Sequence, residues 1–277
     1  MDKSISLKHL TQYAVLTVVA IIMFFPIIWI ISSSFKDLIG ISAYPPELLP
    51  KHPTLDNYIQ AFVRGNIPVF FSNTMILIIG NTVGTLISSS IVAFPLARMN
   101  FKGKNVIFGM ILATMMVPTT ALVVPQYIMF SKFGWLNSFL PILVPAFFAY
   151  PYNVFLFRQF YKTIPKSIDE SALIDGCNRW GIFTRMIVPL SRSVFVSLGV
   201  LSVIFWWNEF FIPLIYLDSD SLKPLTTGAY AIFKNNMVQR WDWQMAFTSM
   251  MILPPVIFYI LAQKQLTEGI KTSGMKG

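Results

Sequence analysis

Charged residues are scarce in this chain of 277 residues. Asp, Glu, Lys and Arg make up 12% of it, whereas apolar residues make up 55% and the mean hydropathy is +0.63. Soluble domains carry about 25% charged residues, so this chain cannot cover a water-facing surface, and its composition argues against a soluble enzyme. The sole cysteine, Cys177, cannot form an intrachain disulfide and gives no information on the redox compartment.

Two further absences limit the chemistry of the chain. The sequence has no Gly-x-x-x-x-Gly-Lys-Ser/Thr loop to bind phosphates, so this chain does not itself hydrolyse ATP. His9 and His52 are too isolated to indicate a metal site, and the apolar runs contain no spaced His/Asp/Glu cluster and no Ser/His pair. We therefore predict no catalytic residue, no bound cofactor and no metal site in this chain.

What the sequence does contain is long apolar runs. A bilayer core of about 30 Å requires about 20 apolar residues per spanning helix. Runs of this kind cover 10–31, 67–94, 106–129, 136–157, 194–217 and 243–262. The first run is longer than the apolar core of a signal peptide and lacks a good cleavage site, which favours a retained span. The sequence therefore predicts an all-α membrane protein with six transmembrane helices.

The basic residues indicate how these spans are oriented. With six spans both termini lie on one side, and that side holds fourteen of the 21 Lys and Arg residues. Because cytoplasmic loops are enriched in Lys and Arg, we predict that both termini are cytoplasmic. Membrane orientation also explains the net charge of +9 without a nucleic-acid partner. We predict two regions: 1–66, the first span with an extracellular loop, and 67–277, a core of five spans.

The cytoplasmic loop of about 158–190 has the features of a short, well-ended helix. Ser167 and Glu170 have the spacing of a capping box. Asp169 and Glu170 also place negative charge in the first turn, where the helix dipole favours it. Gly176 suits the left-handed conformation that ends many helices. From these features alone, a plain surface helix and a functional helix are equally good interpretations.

The same loop carries a recognisable motif. It consists of Glu170, Ser171, Ala172, Asp175, Gly176, Phe183, Ile187 and Pro189. This pattern resembles the EAA loop of bacterial ABC-importer permeases, in which Glu-Ala-Ala is followed by Asp-Gly and then by Phe, Ile and Pro. Ser171 replaces an alanine of that pattern, and Ser193 stands where a further proline is common. Both departures are mild, because serine is also small.

The resemblance extends over nearly the whole chain. The motifs that carry it are Ser34-Phe35-Lys36, Leu96-Ala97-Arg98, Arg158-Gln159-Phe160, Trp207-Asn208-Glu209-Phe210 and a glycine-rich tail at 268–277. In this order they resemble the MalG-like permease subunits of carbohydrate ABC importers of the maltose, multiple-sugar and raffinose type. The resemblance implies the type I ABC importer permease fold in a multi-pass protein of the bacterial cell membrane.

The resemblance also implies partners and roles. The EAA helix would dock on a cytoplasmic ATPase through Glu170, Ser171, Ala172, Asp175, Gly176, Arg179, Phe183 and Arg185. Two ATPase subunits would bind ATP and Mg, and a second homologous permease would complete a heterodimer. An extracellular substrate-binding protein would deliver a sugar or oligosaccharide. Membrane lipid would surround the spans.

Glu209 is the only acidic residue inside a predicted span. Charge at membrane depth is costly and usually faces a cavity or a partner, which makes Glu209 a candidate residue of the substrate pathway. Its neighbours Trp206, Trp207 and Asn208 offer ring stacking and hydrogen bonds of the kind found in small-ligand sites. Tryptophan is also enriched at membrane interfaces, and water can reach Glu209 near the outer end of its span. Both interpretations stay open.

Other transporters are weaker alternatives. A secondary transporter normally shows several ionisable groups within its spans and often repeated halves, whereas this chain has one such group and no internal repeat. A channel or a membrane-embedded enzyme is another alternative, although the spans lack the residue clusters of an enzyme site. A permease of an ABC importer for a non-sugar solute, such as an amino acid or glycerol-phosphate, would carry a similar loop.

Overall fold

The computed structural model describes the backbone of residues 7–235 and 240–274, and all regular secondary structure in these ranges is helical. The first helices are α1 (Leu7–Ser34), α2 (Leu38–Ile41), α3 (Asp56–Arg64), α4 (Ile67–Arg98), α5 (Lys104–Thr114), α6 (Thr119–Lys132) and α7 (Leu140–Leu143). They are followed by α8 (Pro151–Thr163), α9 (Ser167–Ile174), α10 (Arg179–Ile182), α11 (Val188–Leu190), α12 (Arg192–Asn208), α13 (Phe211–Tyr216), α14 (Leu225–Asn235) and α15 (Trp241–Gly274). Short 3₁₀ segments cover Val144–Phe148 and Asp220–Leu222, and a π-helical segment covers Phe183–Ile187.

Four described helical stretches are long and apolar enough to cross a membrane: Thr11–Ser34, Ile67–Arg98, Leu140–Thr163 and Trp241–Ile260. Two bent pairs pass the same test when each is taken as one span. These pairs are α5 with α6, bent by 92°, and Arg179–Leu190 with α12, bent by 72°. The six predicted runs fall on these helices, so the all-α membrane fold is confirmed, whereas the cytoplasmic placement of the termini stays a prediction.

The bend between α5 and α6 has a local cause. Pro118 has no N–H for a continuous helix, and its ring disfavours the helical conformation of the preceding residue. Pro118 adopts an extended conformation, with φ −62° and ψ 128°, directly before α6 begins. One apolar run of the sequence therefore becomes two helices.

The chain divides into two compact units. One consists of Met1–Pro68 with Gly228–Val256, and the other of Val69–Thr227 with Ile257–Gly277. The predicted division between 66 and 67 described the order of spans and loops, and it stays a prediction. The last three residues of the glycine-rich tail lie outside the described residues.

In the first unit, α3 is joined to the end of α1 by buried polar groups. The Asn57 amide donates to the carbonyl oxygens of Ser34 at 2.9 Å and Lys36 at 2.7 Å. The Tyr58 hydroxyl lies 2.7 Å from Ser34 Oγ and 3.0 Å from Ser249 Oγ. No residue in the most apolar window of Thr11–Ser34 is buried within the chain, which suits contact with lipid, since lipid tails are as apolar as leucine.

In the second unit, a buried cluster joins α4, α8, α9, the π-helical segment and α12. Its members include Phe94, Phe157, Ala172, Phe183 and Leu198. On α4, the small-residue face at Gly80 and Gly84 packs against the stretch that contains Leu143 and Phe147. A Cβ on Gly80 would lie 2.6 Å from Leu143 Cδ2, so a larger residue at this position would require the Leu143 side chain to move.

Candidate functional site

The helix α9 begins one residue earlier than the capping-box pattern requires. Lys166 occupies the N-cap in a helical conformation, and no side chain caps this end. Its carbonyl accepts from the backbone N–H groups of Asp169 at 3.0 Å and Glu170 at 3.1 Å. The predicted capping box of Ser167 and Glu170 is therefore wrong, because Ser167 already lies inside the helix and is not its N-cap.

The other end of α9 follows the prediction. Gly176 has φ +78°, its N–H donates to the Leu173 carbonyl at 3.1 Å, and the Cys177 N–H donates to the Ala172 carbonyl at 2.8 Å. These two bonds form a Schellman motif, which satisfies carbonyl groups that the helix end would leave unpaired. The left-handed conformation predicted for Gly176 is confirmed.

The structure separates the eight predicted coupling residues into two groups. Ala172 and Phe183 are buried in the core cluster. The six exposed residues are Glu170, Ser171, Asp175, Gly176, Arg179 and Arg185. The buried pair fixes the loop to the spans, and the exposed residues are available to a partner.

Two apolar side chains on this surface were not predicted. Ile174 is 86% exposed and Trp180 is 59% exposed, although both are large and apolar. Interfaces are enriched in aromatic and arginine side chains and have a few dominant apolar anchors. We call Glu170, Ile174, Asp175, Arg179, Trp180 and Arg185 the α9 face. The loop of about 158–190 contains one tryptophan, Trp180, but four isoleucines besides Ile174, namely Ile164, Ile168, Ile182 and Ile187. Only Trp180 therefore left a signal in the sequence that could have identified this face.

Aromatic contacts and a buried ion pair hold the α9 face against the rest of its unit. Phe183 packs its ring against Phe94 of α4, with ring centroids 5.2 Å apart, and against Trp180 at 5.3 Å. Asp169 is held in an ion pair by Arg98, the last residue of α4, at 2.9 Å. The segment Phe183–Ile187 is π-helical, a local widening that often occurs at functional sites.

A second notable feature is a break in the span Leu140–Thr163. The chain leaves the helix through Val144–Phe148, reaches Ala149 with φ +64°, and starts α8 at Pro151. Two serines of α4 bond the freed backbone: Ser88 Oγ accepts from the Ala149 N–H at 3.1 Å, and Ser89 Oγ accepts from the Tyr150 N–H at 2.9 Å. Non-helical backbone at membrane depth is tolerated only where protein or water satisfies it.

Aromatic side chains surround this break. Phe148 is 78% exposed and Tyr150 is 53% exposed. In transporters, discontinuous helices commonly form substrate sites, and aromatic rings with a few polar groups are usual in small-ligand sites. The sequence prediction missed this region, because an alanine with positive φ leaves no signal in the sequence.

The predicted pathway residues lie at the end of α12. Trp207 is buried and its ring makes an edge contact with Phe71 at 6.3 Å, and Trp206 packs against the cluster that contains Tyr216. The Asn208 side chain is exposed, and its amide donates to the Ile204 carbonyl at 2.8 Å.

Glu209 has a clear local role. Its carboxylate accepts from the Ile212 N–H at 2.9 Å, and its carbonyl accepts from the Thr226 hydroxyl at 2.7 Å. Glu209 therefore caps α13, which explains an acidic residue at this position without a ligand. The pathway role of this group of four residues stays a prediction.

Comparison with known proteins gives consistent matches. Residues 80–272 match the family described as binding-protein-dependent transport system inner membrane component. The arabinooligosaccharides transport system permease protein AraQ of Bacillus subtilis is 31% identical, over 98% of this chain and 100% of that protein. The sulfoquinovosyl glycerol transport system permease protein SmoH of Agrobacterium fabrum is 28% identical, over 91% of this chain and 89% of that protein.

A solved structure has the same fold. It is a chain of a bacterial ABC transporter involved in the import of the acidic polysaccharide alginate. The TM-score is 0.83 at 22% sequence identity, with 95% of this chain and 98% of that chain covered.

Proposed function

Because the chain belongs to the family of binding-protein-dependent transport system inner membrane components, it is a multi-pass permease subunit of the bacterial inner membrane, and we propose that it imports a sugar or oligosaccharide. Two of the relatives named above are permeases for sugar-containing solutes. ATP hydrolysis is the task of a separate subunit.

The α9 face is the main observation that supports a permease driven by a separate ATPase subunit. It presents Ile174 at the end of α9, which is closed by a Schellman motif, and Trp180 on α10, with charged side chains on both helices. Buried Ala172 and Phe183 fix the loop to the spans behind it. An exposed surface of this composition, held to the spans by buried side chains, suits a protein partner that transmits movement to the spans.

We propose the following assembly around this chain. Two ATPase subunits bind ATP and Mg, and one of them receives the α9 face. A second, homologous permease completes a heterodimer in the membrane, and an extracellular binding protein delivers the sugar. Arg179 and Arg185 are exposed on the α9 face and provide positive charge for acidic groups of the ATPase.

The helix break extends the proposal to the substrate pathway. Phe148 and Tyr150 offer exposed rings beside backbone that Ser88 and Ser89 hold in a non-helical conformation. A sugar ring stacks on aromatic faces and takes hydrogen bonds at its hydroxyls, so this region suits a sugar better than an apolar solute. Asn208, which is exposed at the end of α12, is a second proposed contact.

The proposal is tested by purifying the tagged chain from its native membrane and identifying the subunits that accompany it. The same complex, in liposomes, is assayed for ATP hydrolysis with binding protein and a panel of oligosaccharides, amino acids and glycerol-phosphate. We expect an ATPase and a second permease, and hydrolysis that one sugar stimulates. Stimulation by a non-sugar solute would overturn the substrate class. Solute movement by the chain alone, without ATP, would overturn the importer mechanism.

Tyr150 gives a test of the pathway. Tyr150→Ala removes the ring, and aromatic contacts contribute about 0.5–1.5 kcal/mol, so the apparent KM for sugar uptake should rise about two- to tenfold. Tyr150→Phe is the matched control: it keeps the ring and the backbone bond to Ser89, and its KM should change less. An unchanged KM in Tyr150→Ala would remove the helix break from the proposed pathway.

A further inference from the structure

Arg98 makes an unusually complete set of contacts. Its Nε and Nη2 donate to the two carboxylate oxygens of Asp169, each at 2.9 Å. Nη1 donates to the carbonyl oxygens of Tyr161 at 3.0 Å and Ile164 at 2.6 Å, and Nη2 donates to that of Pro165 at 3.0 Å. A guanidinium has five N–H donors, and all five are therefore used.

These contacts join three elements at one point. Arg98 ends α4, Tyr161 belongs to the last turn of α8, and Asp169 lies in the first turn of α9. The carbonyls of Ile164 and Pro165 belong to the short connection between α8 and α9. One side chain therefore ties the helix that carries the α9 face to the ends of two membrane spans.

Both side chains of this ion pair are buried, so little solvent is at hand to replace a lost partner. The Arg98 side chain is 3% exposed and the Asp169 side chain is 10% exposed. Removing one member of a buried ion pair leaves an uncompensated charge. Lysine is not an equivalent replacement, because its ammonium is a point charge that cannot reproduce the planar fork of a guanidinium.

A second buried arginine provides the contrast. Arg158 of α8 donates from Nε to the Leu96 carbonyl at 3.1 Å, and its guanidinium lies 3.7 Å from the centre of the Phe108 ring. These contacts lie on α4 and α5. Arg158 thus joins spans to each other, whereas Arg98 joins spans to α9.

We propose that Arg98 and Asp169 are positioning residues of the transport cycle. Their ion pair makes α9 move as one body with the ends of α4 and α8, so that displacement of the docked α9 face by the ATPase reaches both spans. This inference rests on the proposed function, since it assumes that an ATPase displaces α9. It assigns the transmission of movement to two residues that lie behind the docking surface.

The test uses the whole transporter, reconstituted with ATPase, partner permease, binding protein and sugar. We compare Arg98→Lys and Asp169→Asn with Arg158→Lys as the matched control, and measure sugar taken up per ATP hydrolysed. Arg98→Lys and Asp169→Asn should both assemble and hydrolyse ATP, with uptake per ATP at least tenfold lower than in the wild type. Arg158→Lys should keep this ratio within about twofold. In the double variant Arg98→Lys/Asp169→Asn, uptake per ATP should be no lower than in the worse single variant, since all three variants disrupt the same ion pair.

A spectroscopic measurement reports on the position of α9 independently of transport. Spin labels are attached to Lys162→Cys on α8 and Ile174→Cys on α9, in a Cys177→Ser background. The distance distribution between them should be narrow with Arg98 and Asp169 intact and clearly broader in Asp169→Asn, but unchanged by Arg158→Lys.

The outcomes separate the two proposals. A wild-type complex without ATP-driven uptake would overturn the proposed function, while the label distances would still show whether the ion pair holds α9. Unchanged uptake per ATP in Arg98→Lys and Asp169→Asn would overturn the inference alone. The inference would also be overturned if Arg98→Lys and Asp169→Asn both failed to assemble while Arg158→Lys assembled, because the ion pair would then be needed for folding.

Discussion

Two regions of the molecule bury a cation in different ways. At the ends of α4 and α8, Arg98 faces a carboxylate, and all its donors are paired. In the segment that links α1 to α2, Lys36 is 3% exposed, and its ammonium donates to the Glu47 carbonyl and, at 3.4 Å, to Ser33 Oγ. The Trp29 ring lies 4.3 Å from the same ammonium.

The difference shows what each region requires of its charge. The Arg98 fork fixes three elements in one geometry, because a bidentate pair is directional as well as strong. The Lys36 ammonium has no carboxylate in its hydrogen bonds, and its burial lowers its pKa, although the charge of Glu47 partly opposes this effect. The contacts of Arg98 therefore fix three elements in position, whereas the burial of Lys36 disfavours its own charged form.

The largest effect is expected when each of the two buried cations is replaced separately by methionine. Arg98→Met leaves Asp169 buried without a partner, which should lower the free energy of unfolding by about 3–5 kcal/mol. Lys36→Met leaves no carboxylate without its partner and should change it by less than about 1 kcal/mol, since apolar replacement of a buried charge is often neutral. The measurement is an SDS titration in mixed micelles. Equal losses in the two variants would remove the distinction.

A second test distinguishes the support of α9 from its exposed face. Gly176 and Gly103 both have positive φ, +78° and +83°, and a Cβ on either would meet nothing within 4 Å. Gly176→Asp and Gly103→Asp therefore introduce the same backbone strain of about 1–2 kcal/mol. Only Gly176→Asp adds a charge beside the α9 face, so only this variant should lose coupling.

We expect sugar uptake per ATP to fall at least tenfold in Gly176→Asp and to stay within about threefold in Gly103→Asp. The assay is uptake and phosphate release by the same liposomes. Normal uptake by Gly176→Asp would show that the end of α9 takes no part in coupling.

The smallest expected effect concerns pH. Because the pKa of Lys36 is lowered from 10.5 by burial, the unfolded chain binds this proton more tightly than the folded chain. Between the lowered pKa and 10.5 the unfolded state therefore holds more protons, and the free energy of unfolding should rise with pH. In Lys36→Met this contribution is absent, and the rise across that window should be shallower. Parallel pH profiles of the two proteins would contradict a depressed pKa.

The sequence predicted what depends on local pattern. Apolar runs gave the spans because length and hydropathy are sufficient for a helix in lipid. The left-handed end of α9 followed from Gly176 alone. The capping box failed because one-residue shifts of a helix start are not encoded by the spacing of Ser167 and Glu170, and the αR conformation of Lys166 decided it.

Features that depend on distant contacts were not predictable. Arg98 and Asp169 are 71 residues apart, and no pattern in the sequence pairs them. The helix break at Ala149 requires Ser88 and Ser89 of another helix. The apolar pattern of α12 did not show that Trp207 is buried or that Glu209 caps α13. These facts belong to packing between elements, on which a single sequence gives no information.

The central claim is that the α9 face receives an ATPase, and site-specific crosslinking tests it most directly. A photo-reactive residue is placed at Ile174 and, as a control, at Ile39, an apolar residue of α2 with 81% exposure against 86% for Ile174. After illumination of native membranes, adducts are identified by mass spectrometry. We predict that Ile174 links to a subunit with a phosphate-binding loop and that Ile39 does not. No such adduct at Ile174, or equal adducts at both positions, would contradict the account.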